Sequence, residues 1–189
     1  GDVYKRQVQI GTGTTILPGT ILLGNTTIGK DCLIGPNTYI MDGTVGNGVT
    51  LDNVKLTDST VEDGADAGPF VQIRGGSVLH TGVHIGDFVE VKNSTVGAGT
   101  KSAHLTYIGD SDVGAGVNFG CGTVTVNYDG KNKRRCKIGD GAFIGCNTNL
   151  VAPVEVGDRA YIAAGSTITD DIPGDALSIA RARQVNKPG

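Results

Sequence analysis

An aliphatic residue recurs at every sixth position through the first part of the chain, with mostly polar residues or glycine between. The first series comprises Ile10, Ile16, Leu22, Ile28, Ile34 and Ile40, each followed four positions later by a small or β-branched residue. A period of six is three times the strand period of two and does not match the 3.6 of a helix. The pattern therefore predicts short strands that are joined by turns and share one apolar inner face.

The same spacing continues in shifted registers along most of the chain. After a slip of one position at Val45 and Leu51, it resumes as Val61, Ala67, Ile73, Leu79, Ile85 and Val91. A last unbroken series comprises Ile138, Ile144, Leu150, Val156, Ile162 and Ile168. Between these two series the spacing loosens around residues 101–110, returns at Val113 and Phe119, and is then interrupted by a polar stretch at 127–135.

Hexapeptide repeats are a signature of the parallel β-helix, in which three repeats form one triangular coil, so residues 10–172 predict an all-β stack of about ten coils. Residues 1–9 do not fit the repeat and are predicted to form an atypical segment or cap. Pro173 and Gly174 stop the repeat, so residues 173–189 are predicted to form a C-terminal tail. Within that tail we expect a short helix over residues 176–183.

Composition narrows the possible functions. The net charge of −3 favours neither nucleic acid nor an anionic membrane as a partner, and the basic run at 131–135 has no interleaved aromatic residues. The 31 glycines lack the three-residue period of collagen. No apolar run approaches the length of about 20 residues that spans a membrane. The 4 cysteines form no C-x-x-C pair, so we expect reduced thiols and a cytoplasmic location.

The segment Lys101–Asp110 is predicted to carry functional residues, because departures from a repeat usually mark the functional site of a repeat protein. It contains His104 and Tyr107. An amine must lose a proton before it can attack an acyl group, and histidine, with an unperturbed pKa of about 6.5, suits that task. We predict that His104 is the general base of an acyl transfer to an amine.

Several short blocks occur in an order that resembles one family. They are Gly68-Pro69-Phe70, Gly86–Lys92, His104-Leu105-Thr106-Tyr107, Asn127-Tyr128-Asp129-Gly130 and Leu150–Val154. From about residue 8 the chain is similar to the C-terminal acetyltransferase domain of the bacterial bifunctional glucosamine-1-phosphate N-acetyltransferase and N-acetylglucosamine-1-phosphate uridylyltransferase. The blocks at 104–107 and 127–130 make the resemblance specific, because many other acyltransferases share the hexapeptides.

The resemblance implies a left-handed parallel β-helix that forms a homotrimer with active sites between subunits. It implies acetyl-CoA as co-substrate, glucosamine 1-phosphate as acceptor, no metal requirement, and a product used for UDP-N-acetylglucosamine and cell-wall precursor synthesis. The family's uridylyltransferase domain has no counterpart in these residues, so we expect no uridylyl transfer.

The resemblance also implies roles for individual residues, with His104 as the catalytic base. Substrate binding is implied for Arg74, Lys92, Tyr107, Asn118 and Lys133. Acetyl-CoA binding is implied for Cys121, Asn127, Tyr128, Cys146, Ala164, Arg181 and Lys187. The family usually has Ala where this chain has Cys121, a position whose backbone N–H serves the oxyanion, and Ser where it has Cys146. The two replacements leave the contacts at these positions open.

Four alternatives stay open on sequence alone. The chain could be another hexapeptide acyltransferase, or a non-catalytic β-helix. It could be a zinc enzyme of the γ-carbonic anhydrase type, although His84 and His104 miss direct stacking by about two residues if each coil has about 18. A cysteine nucleophile is the fourth, although neither Cys121 nor Cys146 has a histidine nearby in the sequence.

Overall fold

The computed structural model describes residues 7–189, which form a left-handed parallel β-helix of about ten coils. Three parallel sheets line its sides, and each coil contributes one short strand to each sheet. The predicted all-β fold is confirmed. No helix in the described part of the chain is long and apolar enough to cross a membrane.

Strands β1 to β27 follow one another around the three sheets in strict rotation, and the last strand, β28, joins the second sheet. The first sheet contains β1 (Gln9–Ile10), β4 (Thr27–Ile28), β7 (Thr44–Val45), β10 (Thr60–Val61), β13 (Val78–Leu79), β16 (Thr95–Val96), β19 (Ser111–Val113), β22 (Cys136–Ile138) and β25 (Val154–Val156). The second contains β2 (Thr15–Ile16), β5 (Leu33–Ile34), β8 (Thr50–Leu51), β11 (Asp66–Ala67), β14 (His84–Asp87), β17 (Lys101–His104), β20 (Asn118–Phe119), β23 (Phe143–Ile144), β26 (Tyr161–Ile162) and β28 (Leu177–Ser178). The third contains β3 (Ile21–Leu23), β6 (Tyr39–Met41), β9 (Val54–Thr57), β12 (Val71–Arg74), β15 (Glu90–Lys92), β18 (Tyr107–Gly109), β21 (Val124–Val126), β24 (Asn149–Val151) and β27 (Thr167–Ile168).

The repeating aliphatic residues point inward and stack from coil to coil. Ile34, Ile73 and Ile144 are fully buried, and equivalent positions pair in register, as Phe119 does with Ile144. Each buried aliphatic side chain contributes about 1.5–3 kcal/mol relative to an exposed one. The stacked columns therefore form the core, and most of the polar side chains are left on the outer faces and corners.

Coil length varies, and this explains the slips in the sequence pattern. Ile10 lies beside Ile28, whereas Val45 lies beside Val61, so the first of these coils takes 18 residues and the second 16. Only Asp42, with φ 51°, and Gly43 separate β6 from β7, whereas three residues separate β3 from β4 at the equivalent corner. The slip at Val45 is thus a tighter corner, and the stack continues through it.

The segment around His104 is regular in shape, contrary to the expected loosening of the repeat. Ser102 occupies an inward position between Ile85 and Phe119, and Thr125 occupies another in the third sheet. The Thr125 hydroxyl accepts a hydrogen bond from the Gly109 N–H at 2.7 Å, whereas the buried Ser102 hydroxyl has no hydrogen-bond partner. The pattern loosens because hydroxyl residues replace aliphatic ones within an unbroken coil.

The two predicted ends have different outcomes. The predicted segment 1–9 lies mostly outside the described residues, and its last residue, Gln9, begins β1. The predicted helix over residues 176–183 is wrong, because Leu177–Ser178 forms β28 and pairs with β26. The open edge of the last coil offers unpaired backbone groups, and the tail satisfies them. The Ala163 N–H, for example, donates to the Ser178 carbonyl at 2.9 Å.

Candidate active site

Five residues occupy equivalent positions at the corner between the second and third sheets. Each lies two positions after an inward residue of the second sheet, and those inward residues pair in register. The five are Asp87, His104, Cys121, Cys146 and Ala164. Successive coils are about 4.8 Å apart. In this corner column His104 therefore has a carboxylate on one side and a thiol on the other.

Asp87 orients the ring of His104. The His104 Nδ1 lies 2.6 Å from the Asp87 Oδ1, and both side chains are accessible to solvent. The hydrogen bond from His104 holds the pKa of the Asp87 carboxyl below its usual value. Because a carboxylate can only accept, Nδ1 carries the hydrogen, and in the neutral ring Nε2 is the nitrogen with the free lone pair. His104 is thereby set to take a proton at Nε2.

Sequence reasoning missed Asp87. The signal was present, because Asp87 belongs to one of the family-like blocks and precedes His104 by one coil. To find it, one needs to know that this coil has 17 residues, because a fixed period of 18 would place Asp87 one residue out of alignment with His104.

Three cationic side chains lie close together at the C-terminal ends of the strands of the third sheet. Arg74 and Lys92 are neighbours on β12 and β15, and Arg74 Nε lies 2.7 Å from Glu90 Oε1. Lys133 returns to the same place from the polar loop, where its pKa is lowered chiefly by Lys92 and also by Arg74. Cations held this close to one another create a site that favours an anion.

Asp110 is the buried carboxylate beneath these cations. It accepts hydrogen bonds from the side-chain amides of Asn93 and Asn127, and the Lys92 Nζ lies 3.5 Å away. Burial raises the pKa of Asp110, but the two amides and the charge of Lys92 outweigh it, and the pKa is lowered. The ionised carboxylate therefore fixes the position of Lys92.

Tyr107 lies across the third sheet between His104 and the cations. Its ring covers Gly109, where any side chain would collide with the ring and its hydroxyl. The Asn127 Nδ2 donates to the Tyr107 hydroxyl at 3.3 Å. Asn127 thus joins Tyr107 to Asp110, so a side chain with an implied role in acetyl-CoA binding contacts Tyr107, which has an implied role in substrate binding.

The polar loop, residues 127–135, leaves the stack after β21 and returns to it at β22. Tyr128 and Lys133 form an antiparallel bridge, and Asp129 accepts from the backbone N–H groups of Lys131 and Asn132. The loop keeps Tyr128 exposed and carries Lys133 back over the third sheet. The predicted interruption of the repeat is confirmed.

The remaining predicted residues lie elsewhere. Asn118 is on the outer face of the second sheet, between Lys101 and Phe143, and so does not share a face with Arg74, Lys92 and Tyr107. The stem of Arg181 packs 3.6 Å from the site of a Cβ at Gly165, beside Ala164. Lys187 is exposed in the tail.

The structure changes two arguments about alternatives. His84 pairs with Lys101, so it is three positions from alignment with His104, where the sequence estimate gave about two. Cys121 was judged remote from histidine, but it lies one coil from His104. Within residues 7–189 no group of three or more His, Cys, Asp or Glu side chains is placed to hold a metal ion.

The six-residue repeat and the coil geometry are those of a hexapeptide-repeat β-helix, and comparison with known proteins agrees with this class. The family model "Bacterial transferase hexapeptide (six repeats)" matches residues 7–42 and 135–170. In solved structures, the fold resembles that of LpxA from Acinetobacter baumannii, with a TM-score of 0.52, 15% identity, and coverage of 91% of this chain and 71% of that one. At that identity the likeness supports the fold alone.

The chain corresponds to the C-terminal part of the bifunctional protein GlmU, and its repeat is that of the bacterial hexapeptide transferases. It is 60% identical to GlmU of Geobacillus sp. (strain WCH70) over 181 residues, which are 96% of this chain and 39% of that protein. It is 55% identical to GlmU of Clostridium kluyveri over 180 residues, or 95% of this chain and 40% of that protein. The chain thus spans about two fifths of the length of these relatives.

Proposed function

We propose that the chain transfers the acetyl group of acetyl-CoA to the amine of glucosamine 1-phosphate, giving N-acetylglucosamine 1-phosphate. One observation carries the proposal: His104 is bound through Nδ1 to Asp87 and lies at the corner next to Cys121, with Tyr107 and the cation cluster on the adjoining third sheet. The high identity to GlmU proteins supports the same activity.

His104 acts as the base in this proposal. Its Nε2 takes the proton that the amine loses as nitrogen attacks the thioester carbon, and it returns a proton to the departing thiolate. The negative charge on the carbonyl oxygen requires a positioned donor. The backbone N–H of Cys121 is suited to this, since the flanking N–H groups of Gly120 and Gly122 donate to Ile144 and Leu105 of neighbouring coils and fix the backbone there.

The cation cluster binds the acceptor's phosphate. Arg74 offers a planar fork, whereas Lys92 and Lys133 act as point charges, and charge-assisted hydrogen bonds to phosphate are about twice as strong as neutral ones. Tyr107 lies between this cluster and His104, where it can contact the sugar. The arrangement selects a phosphorylated amino sugar over the free amino sugar.

We propose that the active site is completed by a neighbouring subunit in a homotrimer. The third sheet of one subunit carries Arg74, Lys92 and Tyr107, whereas Asn118 lies on the second sheet. A second subunit that presents its second sheet to the third sheet of the first would bring these residues together. In this proposal the acetyl-CoA path runs along Tyr128, Arg181 and Lys187. The reaction requires no metal. It takes place in the cytoplasm.

A thiol-release assay tests the activity. With acetyl-CoA and glucosamine 1-phosphate, we expect CoA thiol to appear with one acetylated product per thiol. Free glucosamine should react far more slowly, because it lacks the phosphate. UTP and N-acetylglucosamine 1-phosphate should give no nucleotide sugar.

Light scattering on the same sample should give the mass of three chains. A folded trimer that releases no thiol under these conditions would contradict the proposed activity, and an active monomer would contradict the shared site.

A further inference from the structure

Cys121 and Cys146 are adjacent on successive coils. Phe119 pairs with Ile144, each cysteine follows two positions later, and the Asn147 N–H donates to the Cys121 carbonyl at 2.8 Å. Strands of one sheet lie about 4.8 Å apart. That spacing falls within the Cα separation of about 4.4–6.8 Å that a disulfide spans. Both thiols are free.

The other two cysteines have a different environment. Cys32 and Cys136 are buried in the core. The Cys32 thiol donates to the Gly46 carbonyl at 3.1 Å, and burial raises the pKa of the Cys136 thiol to about 11. Thiolate is the reactive form, and it must also be accessible. Cys146 is exposed and Cys121 is half-buried. Among the cysteines of the described chain, these two are therefore the ones that a reagent in solution can reach.

We propose that Cys121 and Cys146 form a dithiol site that reacts with low-molecular-weight disulfides, and that its closed, oxidised form blocks acetyl transfer. The first statement stands on the register and exposure of the two thiols. The second rests on the proposed function, because it requires acetyl-CoA to bind along the corner column beside His104.

The reaction is two successive thiol–disulfide exchanges. Exposed Cys146 loses its proton to solvent, and its sulfur attacks a small disulfide, giving a mixed disulfide and one small thiolate that takes up a proton. The Cys121 thiolate then attacks the Cys146 sulfur and expels the second small thiol. Two protein thiols are oxidised, one small disulfide is reduced to two thiols, and no other oxidant is needed.

Closure changes the site without moving the core. The two cysteines are on the outer side of the corner, whereas the stacked aliphatic side chains lie inside. Drawing the sulfurs together occupies the surface next to His104 on its Cys121 side. A thioester placed there to meet the His104 Nε2 would be excluded, so oxidised protein should remain a folded stack and lose transfer.

Oxidised glutathione is the probe in a test on the reduced full chain. After incubation, remaining thiols are alkylated in denaturant, and intact mass and non-reduced peptides are measured. We expect the loss of two hydrogens, a cross-link between Cys121 and Cys146, alkylation at Cys32 and Cys136, and reversal by dithiothreitol. A Cys32→Ala control should form the same cross-link at the same rate. Glutathione adducts that persist on both cysteines without a cross-link would overturn the dithiol site.

Single variants identify the order of events. In Cys121→Ala we expect one glutathione adduct that persists on Cys146, because the resolving thiol is missing. In Cys146→Ala the adduct on Cys121 should form more slowly, because that thiol is less exposed. Equal rates in both variants would overturn the order in which the thiols react.

Activity separates the two statements. The rate of acetyl transfer should fall in proportion to the cross-linked fraction, and full activity in cross-linked protein would overturn the blocking. If reduced protein forms the cross-link but never transfers acetyl groups, the proposed function fails while the dithiol site stands.

Discussion

Two histidine–carboxylate pairs in this protein share one geometry. His84 Nδ1 lies 2.6 Å from Asp66 Oδ1, and His104 Nδ1 lies 2.6 Å from Asp87 Oδ1. In each pair the histidine stands one coil after its aspartate. The pairing follows from register alone, because residues at equivalent positions of adjacent coils are brought side by side.

The surroundings of the two pairs differ. His84 lies on the outer face of the second sheet with Lys101 on its other side. His104 lies at the corner, with Cys121 on its other side and the third sheet's Tyr107 and cations beyond. In the proposed mechanism, orientation by a carboxylate is therefore not enough to make a histidine the base. What distinguishes His104 is access to both proposed substrate paths.

The largest expected effect compares the two histidines directly. His104→Ala should lower kcat about 10²–10⁴-fold, because general-base catalysis contributes that much, and should leave the KM for glucosamine 1-phosphate little changed. His84→Ala should retain the wild-type kcat. Steady-state thiol release on both purified variants provides the measurement. Wild-type kcat in a folded His104→Ala trimer would refute the assignment of the base.

The two aspartates sharpen the same comparison. Asp87→Ala should lower kcat by about 10²-fold, because the His104 ring loses the partner that orients it and misplaced groups cost about that much. The KM for the acceptor should not follow, since the phosphate contacts are intact. Asp66→Ala removes the equivalent contact from His84 and should change neither constant. A change of KM without a change of kcat in Asp87→Ala would argue against an orienting role.

Two arginine–carboxylate pairs extend the comparison to binding. Arg74 Nε lies 2.7 Å from Glu90, and Arg159 Nε lies 2.7 Å from Asp175. Arg74→Ala should raise the KM for glucosamine 1-phosphate about 10–100-fold, the value of a lost hydrogen bond to a charged group. Arg159→Ala should leave it unchanged. The two KM values, measured at saturating acetyl-CoA, decide whether Arg74 contacts the phosphate.

A buried and an exposed aspartate should differ in their effect on acid stability. Hydrogen bonds lower the pKa of Asp110 in the folded state, so its contribution is present above the ordinary aspartate pKa and is lost as pH falls through the folded pKa. Asp110→Asn should cost about 1–3 kcal/mol at neutral pH and flatten the acid limb of stability. Asp175→Asn, at an exposed pair, should have less effect. Denaturant unfolding between pH 7 and about pH 3 tests this.

The smallest expected effect compares two buried serines. The Ser102 hydroxyl has no hydrogen-bond partner, whereas the Ser111 hydroxyl donates to the Gly109 carbonyl at 2.9 Å. Ser102→Val should stabilise the fold by about 1–2 kcal/mol, since it removes an unsatisfied polar group from an aliphatic column. Ser111→Ala should destabilise it by about 1 kcal/mol. A destabilised Ser102→Val variant would indicate that the position cannot accommodate the larger side chain.

The sequence pattern predicted the fold well because most inward positions are filled by an aliphatic residue. It was weaker where hydroxyl residues fill the same positions, as at Ser102, since periodicity in apolar residues does not detect them. It also misjudged residues 176–183, whose strand depends on pairing with the open edge of the last coil. That pairing is a tertiary effect and has no local signal.

The residues of the candidate site were proposed from the sequence, but their arrangement could not be predicted from it. The departure from the repeat indicated His104, and the resemblance implied Arg74 and Lys92 as phosphate-binding residues; these roles stay predictions. The alignment of Asp87 and Cys121 with His104 was not predictable, because it depends on coils of 17 residues, as Ser102 beside Phe119 shows. Neither could the pattern place Asn118 on a different face, since that requires the position of each corner.

The short sequence separation between paired residues also bears on how the chain reaches its native state. Partners on adjacent coils are close in sequence, such as Ile28 and Val45, and even across the polar loop Val113 pairs with Ile138. Closing such short segments costs little entropy, so assembly can start in any coil and proceed from neighbour to neighbour. The column from Asp87 to Ala164 spans five consecutive coils. Folding must therefore propagate without a gap through this stretch before the proposed base, the two thiols and the proposed acetyl-CoA path are aligned.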